Sequence, residues 1–275
     1  MSWGKLLRHD LRCGLLRWRY LLAPLIFLLP CLVVQMDFAW YDIPGSWMDY
    51  LLYIFQGKEP LTELQLNEAV ILPMFWLMVV GGCLFLNLDY LLSDLTNEGT
   101  QVIVRGSTRA GWYLSKCVWN LCSCALYLCA AGAMTLLFTV LFGGSVTLKN
   151  TPALSCDLLM TPGREVALTP WQGALLGIAA PYFTLAALSM LELTLCLFVK
   201  PVFSFLACMA ILVMAVYANT PFVLGNGAMA VRSQFASPEG MNSLLTLVVA
   251  LAVILLCAVL GALKFRRTDI LGLEE

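Results

Sequence analysis

In 275 residues the chain has a single histidine, His9, and charged side chains make up only 12% of it. One histidine excludes a His-ligated metal site and a Ser-His or Cys-His relay within the apolar part of the chain. So little charge cannot cover a soluble surface, where about 25% charged residues is ordinary. No pair of carboxylates falls inside an apolar run, which argues against an aspartyl-type intramembrane protease. Gly106-Ser107-Thr108-Arg109-Ala110-Gly111 mimics the start of a phosphate loop, but Trp112-Tyr113 stands where Lys and Ser or Thr are required. The chain therefore lacks a nucleotide site of its own, and it is not expected to be an enzyme.

What is abundant is apolar sequence: 61% of residues are hydrophobic. A helix crossing a hydrocarbon core about 30 Å thick needs roughly 20 apolar residues. Six stretches meet that length, near 20–38, 69–89, 117–142, 170–199, 202–223 and 242–263. Residues 117–148 contain no Asp, Glu, Lys or Arg. The expected fold class is an all-α polytopic membrane protein, one transmembrane domain over 1–275, with six transmembrane helices and a multi-pass place in the cell inner (plasma) membrane. The first 19 residues carry five Lys and Arg and no continuous apolar core, so no cleaved signal peptide is expected.

Charge counting sets the expected orientation. With the N-terminus inside, the inner segments hold twelve Lys and Arg and the outer segments four: Lys58, Lys149, Arg164 and Arg232. Both termini are then cytoplasmic. Eleven cysteines lie almost entirely within spans or at the cytoplasmic end, with Cys156 alone outside. They read as small apolar packing residues and not as a disulfide framework.

Residues 1–19 read as an amphipathic interfacial helix. At helical spacing Trp3, Leu7, Leu11, Leu15 and Trp18 share one face, while Lys5, Arg8, His9, Arg12 and Arg19 share another arc. The segment after span 1 is aromatic (Trp40, Tyr41, Trp47, Tyr50, Tyr53, Phe55), as expected at headgroup level. Segment 143–169 reads as a folded loop, and the Gly-broken apolar stretch 222–240 as a partial re-entry packed on protein. Pro181 should kink span 4. Glu192 is the one acidic residue deep in an apolar run. It reads either as a pathway or proton-linked residue, or as a buried structural partner close to Lys200.

The only ordered polar cluster lies between spans 2 and 3, at 94–116. Ser107 and Thr108 can cap a helix that Arg109 through Lys116 continues into span 3. Here the chain resembles permease subunits of ABC-2 type transporters. The resemblance rests on Glu98-Gly99-Thr100, apolar Val102-Ile103-Val104, Ser107-Thr108-Arg109, Trp112 and Lys116. The tail Phe265-Arg266-Arg267-Thr268-Asp269-Ile270-Leu271 is similar too, while Arg105-Gly106 departs from a more usual proline.

The resemblance implies a permease subunit of an ATP-driven exporter. It would pair with a second permease copy or a related permease and with two copies of a separate cytosolic ATPase subunit. ATP and Mg would be bound by that partner, with no cofactor on this chain and no nucleic acid. The implied ATPase-coupling residues are Glu98, Arg105, Arg109, Trp112 and Lys116, with Arg12 and Arg19 on the leader as further candidates. Peptide, lipid-like or drug-like cargo would suit. The alternatives are a non-transporting membrane scaffold or immunity-type protein, and an ion-coupled secondary transporter.

Overall fold

The computed structural model describes residues 3–15, 18–60, 72–88, 90–94, 108–155, 165–237 and 239–267. Among them the regular structure is helical: α1 (Trp3–Leu15), α2 (Leu22–Tyr41), α3 (Trp47–Ile54), α4 (Met74–Asn87), α5 (Tyr90–Asp94), α6 (Arg109–Leu141), α7 (Pro170–Leu195), α8 (Pro201–Tyr217) and α9 (Ser243–Arg267). A 3-10 turn, Trp18–Leu21, leads into α2.

Four helical stretches are long and apolar enough to cross a bilayer: Trp18–Tyr41, Arg109–Leu141, Pro170–Leu195 and Ser243–Arg266. Helices α4 and α8 are apolar but shorter, with 14 and 17 residues. At 1.5 Å per residue they run about 21 and 26 Å, less than the roughly 30 Å of hydrocarbon. The sequence expectation of six spans thus finds four of spanning length among the described residues.

The outer faces are those of a membrane protein. Along α9, Ala250, Ile254, Cys257 and Phe265 are buried while Leu244, Val248, Leu251, Leu255, Leu256, Val259 and Leu263 are exposed. Apolar side chains on both faces mean that one packs on protein and the other suits lipid. The buried face of α9 packs along α7 and α6, which form the centre of the bundle with α2. The ten described cysteines are free, most of them buried, as expected for packing residues.

Packing corrects the expected face of α1. Helix α1 buries Leu6, Asp10 and Gly14 on α6, not the Leu7/Leu11/Leu15 face, which stays partly open beside Arg8 and Arg12. Gly14 makes this docking possible, because a Cβ there would stand 2.1 Å from Trp119 Nε1. Trp18 lies in the 3-10 turn Trp18–Leu21 and is exposed.

Of the aromatic segment, Trp40 and Tyr41 are exposed, while α3 turns inward. Met48, Tyr50, Leu51, Leu52 and Ile54 of α3 are buried among α2, α6 and α7. A capping box starts α3: Asp49 N donates to Ser46 Oγ at 3.2 Å, and Ser46 N donates to Asp49 Oδ2 at 2.7 Å. Asp49 also accepts from Thr151 N at 2.9 Å, tying α3 to the folded loop after α6.

In α7 the local effect of proline is a single wide turn. Leu175–Ala179 is π-helical, immediately before Pro181. Proline offers no N–H to Gly177 four residues back and its ring crowds that carbonyl, and the wider turn relieves both.

The stretch 222–240 packs largely on protein, and it carries a buried charge that composition alone leaves looking exposed. Arg232 is 1% exposed. Its guanidinium donates to the carbonyls of Val216 (2.7 Å) and Lys58 (2.7 Å), and also to Ala215 and to Asn226 Oδ1. It therefore caps the C-terminus of α8, where free carbonyls and the helix dipole favour a cation. Ala230 N donates to Phe55 O at 2.8 Å, so the stretch also seals the end of α3. Burial lowers the Arg232 guanidinium to about 10, still charged at neutral pH.

Candidate functional site

Helix α6 opens at Thr108, whose side chain accepts from Gly111 N at 3.2 Å. Its first turns then bury Trp112, Tyr113, Ser115, Lys116, Trp119 and Asn120. Lys116 is fully buried, and its Nζ lies 2.6 Å from both Asp10 Oδ1 of α1 and Asp94 Oδ2 of α5. Ser115 Oγ donates to the other oxygen of Asp10, and Tyr90 Oη donates to Asp10 O at 3.3 Å.

Aromatic rings enclose this node. Lys116 Nζ stands 4.9 Å from the ring centroids of Tyr90 and Trp112. Tyr90 stacks on Trp119 at 3.7 Å and Trp112 on Phe265 at 4.9 Å. Ring faces are negative and attract the ammonium. One buried cation thus joins α1, α5 and α6, while Trp112 adds the end of α9. A buried ion pair contributes little against an apolar substitute, but breaking it by removing one partner costs about 3–5 kcal/mol.

The residues singled out from sequence fall in different places. Arg109 is exposed and its Nη1 lies 3.5 Å from Arg266 O, at the end of α9. Trp112 and Lys116 face inward, into the node. Arg12 is exposed on α1, and Arg19 is half-buried in the turn before α2. Glu98 and Arg105 lie outside the described residues. Asp10 and Asp94 were missed. Their signal in the sequence is slight: Asp10 is the only acid in the first 19 residues, and Asp94 is one of three acids, with Asp89 and Glu98, spaced after an apolar run.

A second polar layer crosses the bundle next to the node. Tyr20 Oη donates to Asn87 Oδ1 at 2.8 Å and stands 2.6 Å from Ser123 Oγ, which also donates to Asn87 Oδ1. Asn87 Nδ2 donates to Ser189 Oγ at 3.0 Å, and Ser189 Oγ donates to Asn120 Oδ1 at 2.8 Å. One turn beyond Ser189 lies Glu192, 2% exposed, and neither of its carboxyl oxygens meets a hydrogen-bond partner among the described residues. It makes no ion pair with Lys200, so the expectation of a structural partnership there is corrected. Lys200 lies past the end of α7, beyond the turn at 196–199. No grouping of His, Cys, Asp and Glu among the described residues suits a metal ion.

A family model described as Protein of unknown function (DUF2705) matches residues 25–271. The chain belongs to that family. No curated protein and no solved structure matches the chain. The matched stretch takes in Asp94, Lys116 and Glu192, whereas Asp10 on α1 precedes it.

Proposed function

We propose that the chain is the transmembrane permease subunit of an ATP-driven exporter in the plasma membrane, coupled to a separate cytosolic ATPase. In this reading α4 and α8 also cross the bilayer, giving six spans with both termini inside. The observation that carries it is the construction of the base of α6. Exposed Arg109 sits one helical turn from buried Trp112 and two from Lys116, which tie α6 to α1, α5 and α9. Force applied by a partner at Arg109 would therefore move four elements together and reach the centre of the bundle through α6. Arg109, with Glu98 and Arg105, would meet the ATPase, while Trp112 and Lys116 would transmit the displacement. Arg12 on the open face of α1 suits anionic headgroups.

The test is Arg109→Glu in the native host. Loss of ATPase association and of export, with membrane insertion intact, is the expected result. Survival of both would remove the coupling role from this segment.

The unpartnered Glu192 carboxyl favours a second reading, an ion-coupled transporter. Transport abolished in Glu192→Gln but unaffected by depletion of ATP would select it.

A further inference from the structure

Glu192 shares its lack of a partner with two other buried polar groups. Ser204 Oγ on α8 and Asn120 Nδ2 on α6 also meet no partner among the described residues, and both side chains are fully buried. Packing brings all three to one level of the bundle. Cys208 Sγ of α8 donates to Leu188 O of α7 at 3.8 Å, across the turn that joins these antiparallel helices. Four residues nearer that turn on each helix, and so on the same facing sides, stand Ser204 and Glu192. Asn120 enters from α6, where its Oδ1 accepts from Ser189, three residues before Glu192 on α7.

The surroundings supply no counter-charge. The titratable groups near enough to interact with Glu192 are the thiols of Cys124 on α6, Cys83 on α4 and Cys208 on α8. Cys196, one turn further along α7, donates to Leu88 O at 3.9 Å. Toward α9, the Cys257 thiol and the Tyr113 hydroxyl both pair with Thr194. The Lys116 ammonium is held by Asp10 and Asp94, and Lys200 is exposed past the turn.

A bare carboxylate among thiols, a hydroxyl and an amide in an apolar interior costs several kcal/mol. A neutral acid avoids that cost, and its two oxygens then have different needs. Its O–H requires an acceptor, which Ser204 Oγ offers, and its carbonyl oxygen requires a donor, which Asn120 Nδ2 offers. When the proton leaves, the Ser204 hydroxyl turns and donates, so this side chain serves both states.

We propose that Glu192, Ser204 and Asn120 form a site that binds and releases one proton, with Glu192 as the acid and Ser204 as its hydrogen-bond partner. The site requires only that α7 lies in the bilayer, so it stands apart from the ATPase reading. It also deepens the ion-coupled reading, for which it names the ion.

Infrared difference spectra of the full chain in phosphatidylcholine vesicles, parent minus Glu192→Gln, test the site without transport. Their failure is therefore distinct from the failure of either functional reading. At pH 7 they should contain the C=O stretch of a neutral carboxylic acid. That band should move to lower frequency in D2O as the proton exchanges, and give way to carboxylate stretches as the pH is raised. Ser204→Ala should keep the band and move its midpoint up by about one pH unit, because the bond the hydroxyl donates to the charged carboxylate is the stronger of its two. Dicyclohexylcarbodiimide supplies a second measurement. The acid's O–H adds across one C=N bond and the acyl group then migrates to nitrogen, so an N-acylurea forms with no atom lost. Peptide mass spectrometry should find it on Glu192 at pH 7 and not on exposed Asp42 or Glu59. Glu192→Gln, whose amide resembles the neutral acid, should melt at the parent temperature at pH 7. Carboxylate stretches at pH 7 with no acid band would overturn the proposal, as would a midpoint that Ser204→Ala leaves unmoved. So would an acid band or a carbodiimide adduct that sodium ions suppress at constant pH, because the site would then take a metal cation.

Discussion

Asp10 and Lys116, 106 residues apart in sequence, meet at 2.6 Å in a site closed to solvent. Their contact makes the leader helix part of the base of α6 and not a free float on the membrane surface. Lys116→Met leaves buried Asp10 and partly buried Asp94 without their cation, and should lower stability by about 3–5 kcal/mol. A thermal melt in detergent micelles reads this directly. Asp10→Asn added to Lys116→Met should recover part of the loss, because it removes one of the stranded charges.

Release of α1 has its own readout. Gly14→Leu would drive a side chain into Trp119, and α1 should then detach. Trypsin cleavage after Arg12 should become faster than in the parent protein, with the melting of the remaining bundle changed little. An unchanged cleavage rate would mean that α1 is not held through this face.

At the opposite end of the bundle, Arg232→Met removes the donor that caps α8. Several buried carbonyls lose their partner, and the cost should be on the order of 3 kcal/mol. Arg232→Lys should rescue little, since one ammonium cannot reproduce the planar fork. Melting temperatures of the two variants check this.

The Asp49 carboxyl lies in the non-spanning helix α3, and burial pushes it above its ordinary value although Thr151 and Ser46 donate to it. A carboxyl raised in the folded state binds its proton more tightly there than in the unfolded chain. Its contribution to stability is then full below the unfolded value of about 3.9 and is lost as pH rises through the folded value. The parent protein should therefore gain stability relative to Asp49→Asn on acidification from pH 7 toward about 4. Parallel melts across that interval would show the difference.

Much of this architecture was legible in the sequence, because the uncharged run from 117 supplies the apolar length that α6 uses as far as Leu141. Thr108 as a cap and the free, packed cysteines were legible for the same local reasons. What was hidden depends on tertiary placement. The leucine periodicity of residues 1–19 pointed to one face of α1, but the small Gly14 and the charge of Asp10 select the neighbouring face. Arg232 reads as one loop charge among four, and only the fold shows it buried over the end of α8. Tyr50 and its neighbours have the composition of an interfacial segment, and only the loop holding Asp49 against Thr151 places them inside. The pairing of Lys116 with Asp10 and Asp94 has no local signature.

Purification from the native host in mild detergent tests the proposed transfer of force from a separate ATPase to the base of α6. Mass spectrometry of everything retained should find a soluble ATPase in stoichiometric amount, and Arg109→Glu should release it. A correctly inserted, intact protein that retains no ATPase would contradict the account.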